Sequence, residues 1–589
     1  MGTSRPQSPS SLAEPPSGRL DTWKEIAAYL KRDERTVRRW EGEGLPVHRK
    51  LHKKQASVYA YRSEIDAWWQ NGRERLEPSE QAVAPKRRIS WAVAGLAIVG
   101  LAVLAALSLG IPRNRWRGAG ANGQAIHSLA VLPLENLSRD ADQEHFADGM
   151  TEELTTELAQ ISALKVISHT SVVQYKRTKK PLPQIARELD VDAVVEGAVE
   201  RSGDKVGITV QLIEAPSDRH LWAKSYERDL RDVLDLQREV THAIVDEIQA
   251  KLTPPEKTRL ATAQSVDAQA HEDYLRGQFF LEKGQLKKSI AYFQKAIQES
   301  PNYAPAYAGL ANAYISLGQP WFGEGDMRPR DVFSQAEAAA RKALQIDPSL
   351  GEGHLALARA IQLYDWDFPA VEKEYRRALE LNQNDALAHT FFGEFLQQMG
   401  RNQEALEQTR RAVLLDPLDG KATANLGFDH YTARQYDLAI REFQKALELD
   451  SDYVDTYVGL GWVYEQKKMY PEAIAELEKA VTLSNRNEMT VASLGQVLAE
   501  SGRKREAAEI LQELKGRSEH RYISPCLLAI VQIGLDQRDQ AIASLEQGYI
   551  NRDQWMLYLR VDPHLDELRP DPRFQDLLRR IGLPQTPSP

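Results

Sequence analysis

Apolar residues follow four different patterns in four segments of the chain. From about residue 270 onward, small and large apolar positions recur about every 34 residues, which predicts repeated pairs of amphipathic helices. Residues 126–252 alternate between short apolar runs and helical stretches, which predicts an α/β domain. Residues 89–111 carry no charge over 23 positions, and residues 19–72 show short helical patterns followed by an alternating run. The sequence therefore predicts a multidomain chain.

Residues 19–72 begin with a short predicted helix. Asp21 or Thr22 can cap its N-terminus, and Glu25, three residues after Thr22, completes a capping box. A tight polar break separates this helix from a second one at about residues 34–43. Two short helices joined in this way are typical of helix-turn-helix proteins.

The second helix presents a basic outer face. Val37 and Trp40 are predicted to point inward, which leaves Arg38 and Arg39 outside. An alternating strand at 57–61 follows, and basic residues precede it, as in a two-stranded wing.

The segments "TVRRW…GLP" and "SEIDAWW" make residues 20–72 resemble the winged helix-turn-helix of the MerR and excisionase families. The resemblance implies that the second helix enters the major groove of duplex DNA and that the wing follows the phosphates. The residues so implied in DNA binding are Thr36, Arg38, Arg39, Arg49, Lys50, Lys53 and Lys54.

The charge distribution favours a polyanionic partner for this domain alone. Residues 19–88 hold 17 lysines and arginines against 11 acidic residues, whereas residues 112–589 hold 57 against 72. A basic head on an acidic body indicates that the head binds DNA, although a basic helix pair that binds protein is the alternative. His48 and His52 are four residues apart, but no cysteine or further histidine lies nearby, so no metal site is predicted.

Residues 89–111 are predicted to form a transmembrane helix. Their 23 uncharged positions span about 35 Å as a helix, enough to cross a hydrocarbon core. Five basic residues precede the span closely and three follow it, which favours a cytoplasmic N-terminus. Because DNA lies in the cytoplasm, we expect a single-pass protein of the inner membrane with an extracytoplasmic C-terminal region.

The α/β domain at 126–252 carries the segments "LAVLPLENLS", "FADGMTEELTTEL" and "LWAKSYERDL". These make it resemble the amino-terminal domain of the TolB translocation protein. Similar domains occur in bacterial signalling proteins, sometimes behind a cyclase or kinase domain. No P-loop, kinase-type glycine-rich loop or HExxH motif occurs here, so neither an enzyme nor a cofactor is predicted.

One helix of this domain is predicted at 149–161, with Thr151 as its cap. Asp148, Glu152 and Glu153 would then lie at a solvated helix start rather than form a catalytic carboxylate pair.

The repeats carry small residues at positions 8, 20 and 27, and large apolar residues at 11 and 24. In the first repeat these are Gly277, Ser289, Ala296, Phe280 and Phe293. This is the tetratricopeptide (TPR) pattern, in which small residues let two helices approach closely while large ones fill the gap. Eight repeats are predicted to start near 270, 304, 351, 386, 420, 454, 488 and 522.

A TPR superhelix has a concave groove lined by the first helix of each repeat. We predict a protein-binding groove formed by Asn312, Glu394, Phe428, Tyr431, Trp462 and Glu465. No lysine occupies these positions, so a carboxylate clamp like that of chaperone-tail-binding TPR proteins is not expected. The aromatic side chains favour an extended, partly apolar peptide or protein ligand, and ordinary packing beside a solvated groove is the alternative.

The whole layout resembles that of bacterial membrane-integrated one-component regulators of the ToxR and CadC type. We therefore expect a transcription regulator that binds duplex DNA as a homodimer; the alternative is a membrane-anchored TPR scaffold whose head binds protein. The predicted segments are a disordered tail (1–18), winged helix-turn-helix (19–72), basic linker (73–88), transmembrane helix (89–111), linker (112–125), TolB-like α/β domain (126–252), all-α TPR solenoid (270–554) and capping helix (555–583).

Overall fold

The computed structural model describes residues 19–20, 22–30, 37, 45–52, 55–65, 126–138, 143–261, 266–319 and 328–584. They belong to two compact units that divide between residues 121 and 122. The predicted transmembrane segment, 89–111, and most of the predicted second helix, 34–43, lie outside these residues. Among the helices that the structure does describe, none is both long and apolar enough for a bilayer crossing.

The N-terminal unit combines a short helix with a three-stranded antiparallel sheet of order β1-β3-β2. Helix α1 spans Trp23–Leu30, and the predicted capping box is confirmed because the Glu25 N–H donates to Thr22 Oγ1 at 3.2 Å. Val37 is helical and fully buried against Ile26, on the inner face as predicted. The strands are β1 (Arg19–Leu20), β2 (His48–His52) and β3 (Gln55–Tyr61).

The α/β domain is built on a mixed sheet of order β6-β4-β7-β8-β9, with β5 paired to β7. The first strands pair in parallel, and β7, β8 and β9 form an antiparallel meander that turns at Gly203, where φ is +62°. The strands are β4 (Ser128–Val131), β5 (Glu135–Asn136), β6 (Lys165–Val166), β7 (Ala193–Ser202), β8 (Lys205–Glu214) and β9 (Arg219–Asp229). The helices are α2 (Glu144–Ala159), α3 (His169–Val173), α4 (Leu182–Leu189), α5 (Val233–Glu247) and α6 (Pro254–Ala261).

The predicted start of the first of these helices is wrong. Helix α2 begins at Glu144, so Thr151 lies within it rather than at its cap. The Thr151 hydroxyl donates to the Ala147 carbonyl at 2.8 Å and accepts the Leu134 N–H at 3.0 Å. Thr151 therefore joins the connection between β4 and β5 to the middle of the helix.

Sixteen helices in eight antiparallel pairs follow within the described residues, and each pair begins at or close to a predicted repeat start. The first four pairs are α7 (Ala268–Glu282) with α8 (Leu286–Glu299), α9 (Ala304–Leu317) with α10 (Pro329–Ile346), α11 (Gly351–Tyr364) with α12 (Phe368–Leu381), and α13 (Ala386–Gln398) with α14 (Asn402–Leu415). The others are α15 (Gly420–Thr432) with α16 (Tyr436–Leu449), α17 (Val454–Gln466) with α18 (Tyr470–Leu483), α19 (Glu488–Glu500) with α20 (Lys504–Ser518), and α21 (Pro525–Gly534) with α22 (Arg538–Asn551).

Close packing of small residues against aromatic rings holds the pairs together, as predicted from the repeat pattern. A Cβ atom on Gly277 would lie 2.6 Å from the Phe293 ring, and one on Gly427 would lie 2.5 Å from the Phe443 ring. Both rings are fully buried, so a side chain at Gly277 or Gly427 would collide with the ring and push the two helices apart.

The described residues after the last helix pair, 553–584, are here called the C-terminal segment. The predicted single capping helix is wrong in detail, because two 3₁₀ turns, Gln554–Tyr558 and Pro563–Leu568, precede helix α23 (Pro572–Ile581). Asp553, Asp562 and Asp571 each accept a backbone N–H two residues further on, so an aspartate starts each piece.

Candidate functional site

The predicted groove residues lie on the first helices of repeats two, four, five and six. The structure brings three of the side chains together, with ring centroids 5.8 Å apart for Tyr431 and Trp462 and 6.0 Å apart for Phe428 and Trp462. Asn312, on α9, is half-buried, and no hydrogen bond in the described part of the chain joins its side chain to the others.

The C-terminal segment covers this aromatic cluster. The His564 ring lies 5.3 Å from the Trp462 ring, and its Nδ1 lies 3.2 Å from the Tyr431 hydroxyl. His564 Nε2 lies 3.0 Å from Glu465 Oε2, and Trp555 packs edge-on against Trp462 at 6.4 Å. The inner face expected to be open is therefore occupied by the chain itself.

His564 carries a buried positive charge between two carboxylates. Burial alone would lower the pKa of His564, but the charges of Glu465 and Asp562 outweigh it and raise that pKa well above its usual range. Asp562 Oδ1 lies 2.8 Å from His564 Nδ1, and although burial raises the pKa of Asp562, the adjacent imidazolium brings it below its ordinary value. The cluster is thus an ion triad inside the array.

Polar contacts also join the C-terminal segment to repeats four and five. The Tyr558 hydroxyl donates to Glu394 Oε1 at 2.6 Å, and Arg560 donates to the Met399 carbonyl. Asp566 pairs with Arg434 at 2.8 Å.

Apolar burial makes the C-terminal segment part of the core. Each fully buried large side chain contributes roughly 1.5–3 kcal/mol relative to exposure, so a ligand that displaced the segment would have to replace that burial before it gained affinity. The buried residues are Met556, Leu557, Leu559, Leu565, Leu568, Phe574, Leu577, Leu578 and Ile581. Glu394, Tyr431, Trp462 and Glu465 are therefore covered in this structure, and their role in ligand binding stays a prediction.

The α/β domain packs against the first TPR repeat. Arg201 Nη1 lies 3.0 Å from Glu272 Oε2, and a Cβ atom on Gly149 would lie 2.7 Å from Leu275. Glu153 Oε2 lies 3.5 Å from His271 Nε2. Helix α2 of the α/β domain therefore packs against helix α7 of the first repeat.

The same domain also contacts the loops that precede repeats four and five. Asn384 Nδ2 donates to the carbonyls of Ala159 and Leu164, both at 2.8 Å. The Ser168 N–H donates to the Leu415 carbonyl at 2.8 Å. The α/β domain and the TPR repeats consequently belong to one compact unit rather than two separate modules.

Glu152 and Glu153, expected at a solvated helix start, lie instead at this interface, so that expectation is wrong for both, whereas Asp148 pairs with Lys176 at 2.5 Å within the α/β domain. Burial raises the pKa of Glu152 and of Glu153 to about 8. Burial also lowers the pKa of His271 to about 4, so the close Glu153–His271 pair is neutral at pH 7 rather than an ion pair. The interface between the α/β domain and the first repeat therefore contains the protonated carboxyl groups of Glu152 and Glu153.

Two of the predicted DNA-binding residues, Arg49 and Lys50, lie on strand β2 of the hairpin. Thr36, Arg38, Arg39, Lys53 and Lys54 lie outside the described residues. His48 Nε2 lies 2.7 Å from Glu64 Oε2, and its ring stacks on Tyr59 at 5.2 Å, which connects the hairpin to the residues that follow it.

A cleft of about 930 Å³ lies away from the covered inner face, beside repeats seven and eight. Lys515, Gln532 and Gln540 line it, and sequence reasoning missed all three. The signal was present in α22, where glutamines at 540 and 547 share one helix face with Ser544.

Family profiles identify the repeat type. Profiles described as "Tetratricopeptide repeat" match residues 280–320 and 454–487, and one described as "TPR repeat" matches residues 429–468. Residues 268–551 form a TPR array. Several of its eight helix pairs carry close glycine contacts, to an aromatic ring at Gly277, Gly318 and Gly427 and to an aliphatic side chain at Gly461 and Gly495.

Relatives match the chain over part of its length. A Rhizobium meliloti protein named "Putative adenylate cyclase 3" is 35% identical over 238 residues, which is 40% of this chain and 40% of that protein. The type IV pilus assembly protein PilF of Pseudomonas aeruginosa is 31% identical over 141 residues, 24% of this chain and 53% of that protein. The chain thus spans about half or less of these relatives. The solved structure of Pseudomonas aeruginosa pilF aligns with a TM-score of 0.28 and 27% identity, over 35% of this chain and 90% of that one.

Proposed function

We propose that the chain is a non-catalytic protein-binding scaffold whose TPR array recruits partner proteins. The observation that carries this proposal is the array itself, because stacked helix pairs present a long surface that single domains of similar size lack. The α/β domain acts in this proposal as a structural brace, since its contacts hold α7 and the loops before α13 and α15 in place.

Site-specific photo-crosslinking in the native host tests the scaffold function. A crosslinking residue replaces Lys287 or Lys445, two exposed positions on second helices of the array, in the full-length chain. The matched control position is Lys179, an exposed lysine of the α/β domain. We expect the array positions to capture a small, reproducible set of proteins that the control position does not. Capture of the same proteins at all three positions would contradict the proposal.

Membrane anchoring belongs to the same proposal. The uncharged run at 89–111 supports it, and the excess of basic residues before that run favours a cytoplasmic N-terminus. A reporter that is active only outside the cytoplasm should work when fused after Gly120 and fail when fused after Gly72. The reverse pattern, or activity at both positions, would remove this part of the proposal.

A transcription regulator with a DNA-binding head is the second candidate. It is favoured by the β2–β3 hairpin, which places Arg49 and Lys50 on one strand of a unit with its own buried core. In this candidate two associated chains place two heads on adjacent half-sites, and residues 112–589 set that association.

Salt-dependent binding of duplex DNA by the full-length chain in detergent tests the regulator. We expect Arg49→Glu together with Lys50→Glu to abolish binding, because the double change replaces two positive charges of the head with negative charges that repel phosphate. Lys24→Glu, on the exposed face of α1, changes charge at a position outside the hairpin and should weaken binding less. A full-length chain that binds no duplex at low salt would exclude the candidate.

A further inference from the structure

The cleft beside the last two TPR repeats is built from the end of α20, the loop at 519–524 and one face each of α21 and α22. Its volume is about 930 Å³, and Arg328, just before α10 in the second repeat, lines one side. The C-terminal segment packs elsewhere, so this surface is not filled by the part of the chain that covers the inner face.

One face of helix α22 lines the cleft and is not packed into the hydrophobic core. Gln540, Ser544 and Gln547 recur at helical spacing on this face, whereas Ile542 and Leu545 on the other side are buried. Amide side chains carry both a donor and an acceptor, which is what a peptide backbone requires from a binding surface.

Gln532, on α21, supplies a hydrogen-bond donor at the wall of the cleft. The residue is only 3% exposed, and its Oε1 accepts the Ser544 hydroxyl at 2.8 Å. The Gln532 side-chain N–H groups have no acceptor within the described residues although the side chain lines the cleft. This amide nitrogen is therefore available to a hydrogen-bond acceptor of a ligand in the cleft.

The charges of the cleft have one sign. Lys515, Arg521 and Arg328 line it, and no aspartate or glutamate does among its described lining residues. Arg521 forms an ion pair with Glu488 at 3.0 Å. In the described part of the chain, no carboxylate lies within ion-pair distance of Lys515 or Arg328. Acidic residues exceed basic ones over residues 112–589, so uncompensated cations are an exception in this region.

Apolar side chains complete the surface. Leu528 and Pro525 lie on the cleft face of α21, and Ile550 on α22 is 55% exposed. An exposed large apolar residue beside unpaired cations favours a ligand that carries both negative charge and apolar side chains.

We propose that the cleft binds an acidic, partly apolar peptide segment of a partner protein in extended form; this proposal rests on the scaffold function above. The face from Gln540 to Asn551 is about 17 Å long, which matches about five residues of extended chain. Lys515 and Arg328 receive the carboxylates, and Gln532 donates to a backbone carbonyl. Because the polar groups are spread along a helix face, they fit a chain better than a compact anion.

Selection of short random peptides displayed on phage against the full-length chain in detergent tests this assignment. The affinity of a selected peptide is then measured by fluorescence anisotropy for Lys515→Glu and Gln540→Ala, both at surface positions. Lys179→Glu makes the same charge change at an exposed position of the α/β domain and is the matched control. Thermal melting by circular dichroism verifies that each variant folds.

We expect selected peptides to be rich in aspartate and glutamate, and Lys515→Glu to weaken binding about tenfold or more while Lys179→Glu changes it little. Selected peptides without acidic enrichment, or equal effects of the two charge changes, would overturn the proposal. Displacement of the peptide by inorganic phosphate beyond the effect of chloride at equal ionic strength would make the cleft a small-anion site and would also overturn it. If crosslinking at Lys287 or Lys445 captures partners while the peptide test fails, the scaffold function stands and only the cleft assignment falls.

Discussion

His564 Nε2 lies 3.0 Å from Glu465 Oε2, and both side chains are buried inside the TPR array. Almost one hundred positions separate the two residues in the sequence, so this contact ties the end of the chain to the sixth repeat. Removing one partner of a buried ion pair lowers the free energy of unfolding, because the other charge stays buried without a counter-charge.

Glu465→Gln should lower the free energy of unfolding by about 3–5 kcal/mol at pH 6. The folded pKa of His564 lies above the unfolded value of about 6.5, so its contribution is complete below that pH and is lost as pH rises through the folded pKa. The cost of Glu465→Gln should therefore shrink between pH 6 and pH 9, as measured by urea unfolding at each pH. Glu448→Gln, at an exposed position on α16, is the control and should cost less than about 0.5 kcal/mol. A cost that does not depend on pH would contradict the assigned charge on His564.

Gly427→Ala should lower the free energy of unfolding by about 1–3 kcal/mol, because the new Cβ would lie 2.5 Å from the buried Phe443 ring. Gly516→Ala is the matched control within another helix of the array, where no atom lies within 4 Å of a new Cβ. There the same change should be neutral or stabilising by up to about 1 kcal/mol, since alanine favours the helix. Equal effects in thermal and urea unfolding would show that the glycine–aromatic contact does not limit helix approach.

Asn384→Ala should cost about 1–3 kcal/mol, because it leaves the buried carbonyls of Ala159 and Leu164 without their donor. Hydrogen exchange of strand β6 should quicken along with the loss of stability. Gln383→Ala, at the exposed neighbouring position, is expected to leave both measurements within experimental error. Unchanged exchange in β6 would argue against a bracing role for Asn384.

Glu153→Gln should stabilise the protein by about 1–3 kcal/mol near pH 8 and have little effect near pH 4. The folded pKa of Glu153 is about 8 against an ordinary value of 4.5, so between these pH values the folded state holds a proton that the unfolded state has released. Stability of the unchanged protein should consequently fall as pH rises through this window, and the glutamine variant should show a shallower fall in thermal melting. Glu247→Gln, at an exposed position on α5, should leave the slope unchanged. An identical slope for Glu153→Gln would mean that the carboxyl is ionised in the folded state.

Local rules in the sequence predicted local structure well. The Thr22–Glu25 capping box lies within four residues, and the Gly277–Phe293 contact follows from one repeat period, so both depend on spacing alone. The TPR array was predictable for the same reason.

Contacts between distant segments were not predictable in this way. The periodicity that places Tyr431 and Trp462 on the inner face contains no information about His564, which covers them from more than one hundred positions away. The α2 start was missed because the helix begins before the threonine that resembled a cap, and this shift put Glu153 in a buried interface.

The covered inner face brings separated repeats into contact, and this changes the mechanics of the array. In a solenoid whose repeats contact only their neighbours, a pulling force can separate the repeats one at a time. Here Trp366 of repeat three packs on Tyr549 of repeat eight at 5.5 Å, and Arg552 lies over the same indole at 4.0 Å. Pulling the array apart must break this contact before the repeats between three and eight can separate, so this part of the array should resist small forces as a stiff body and then yield in one step.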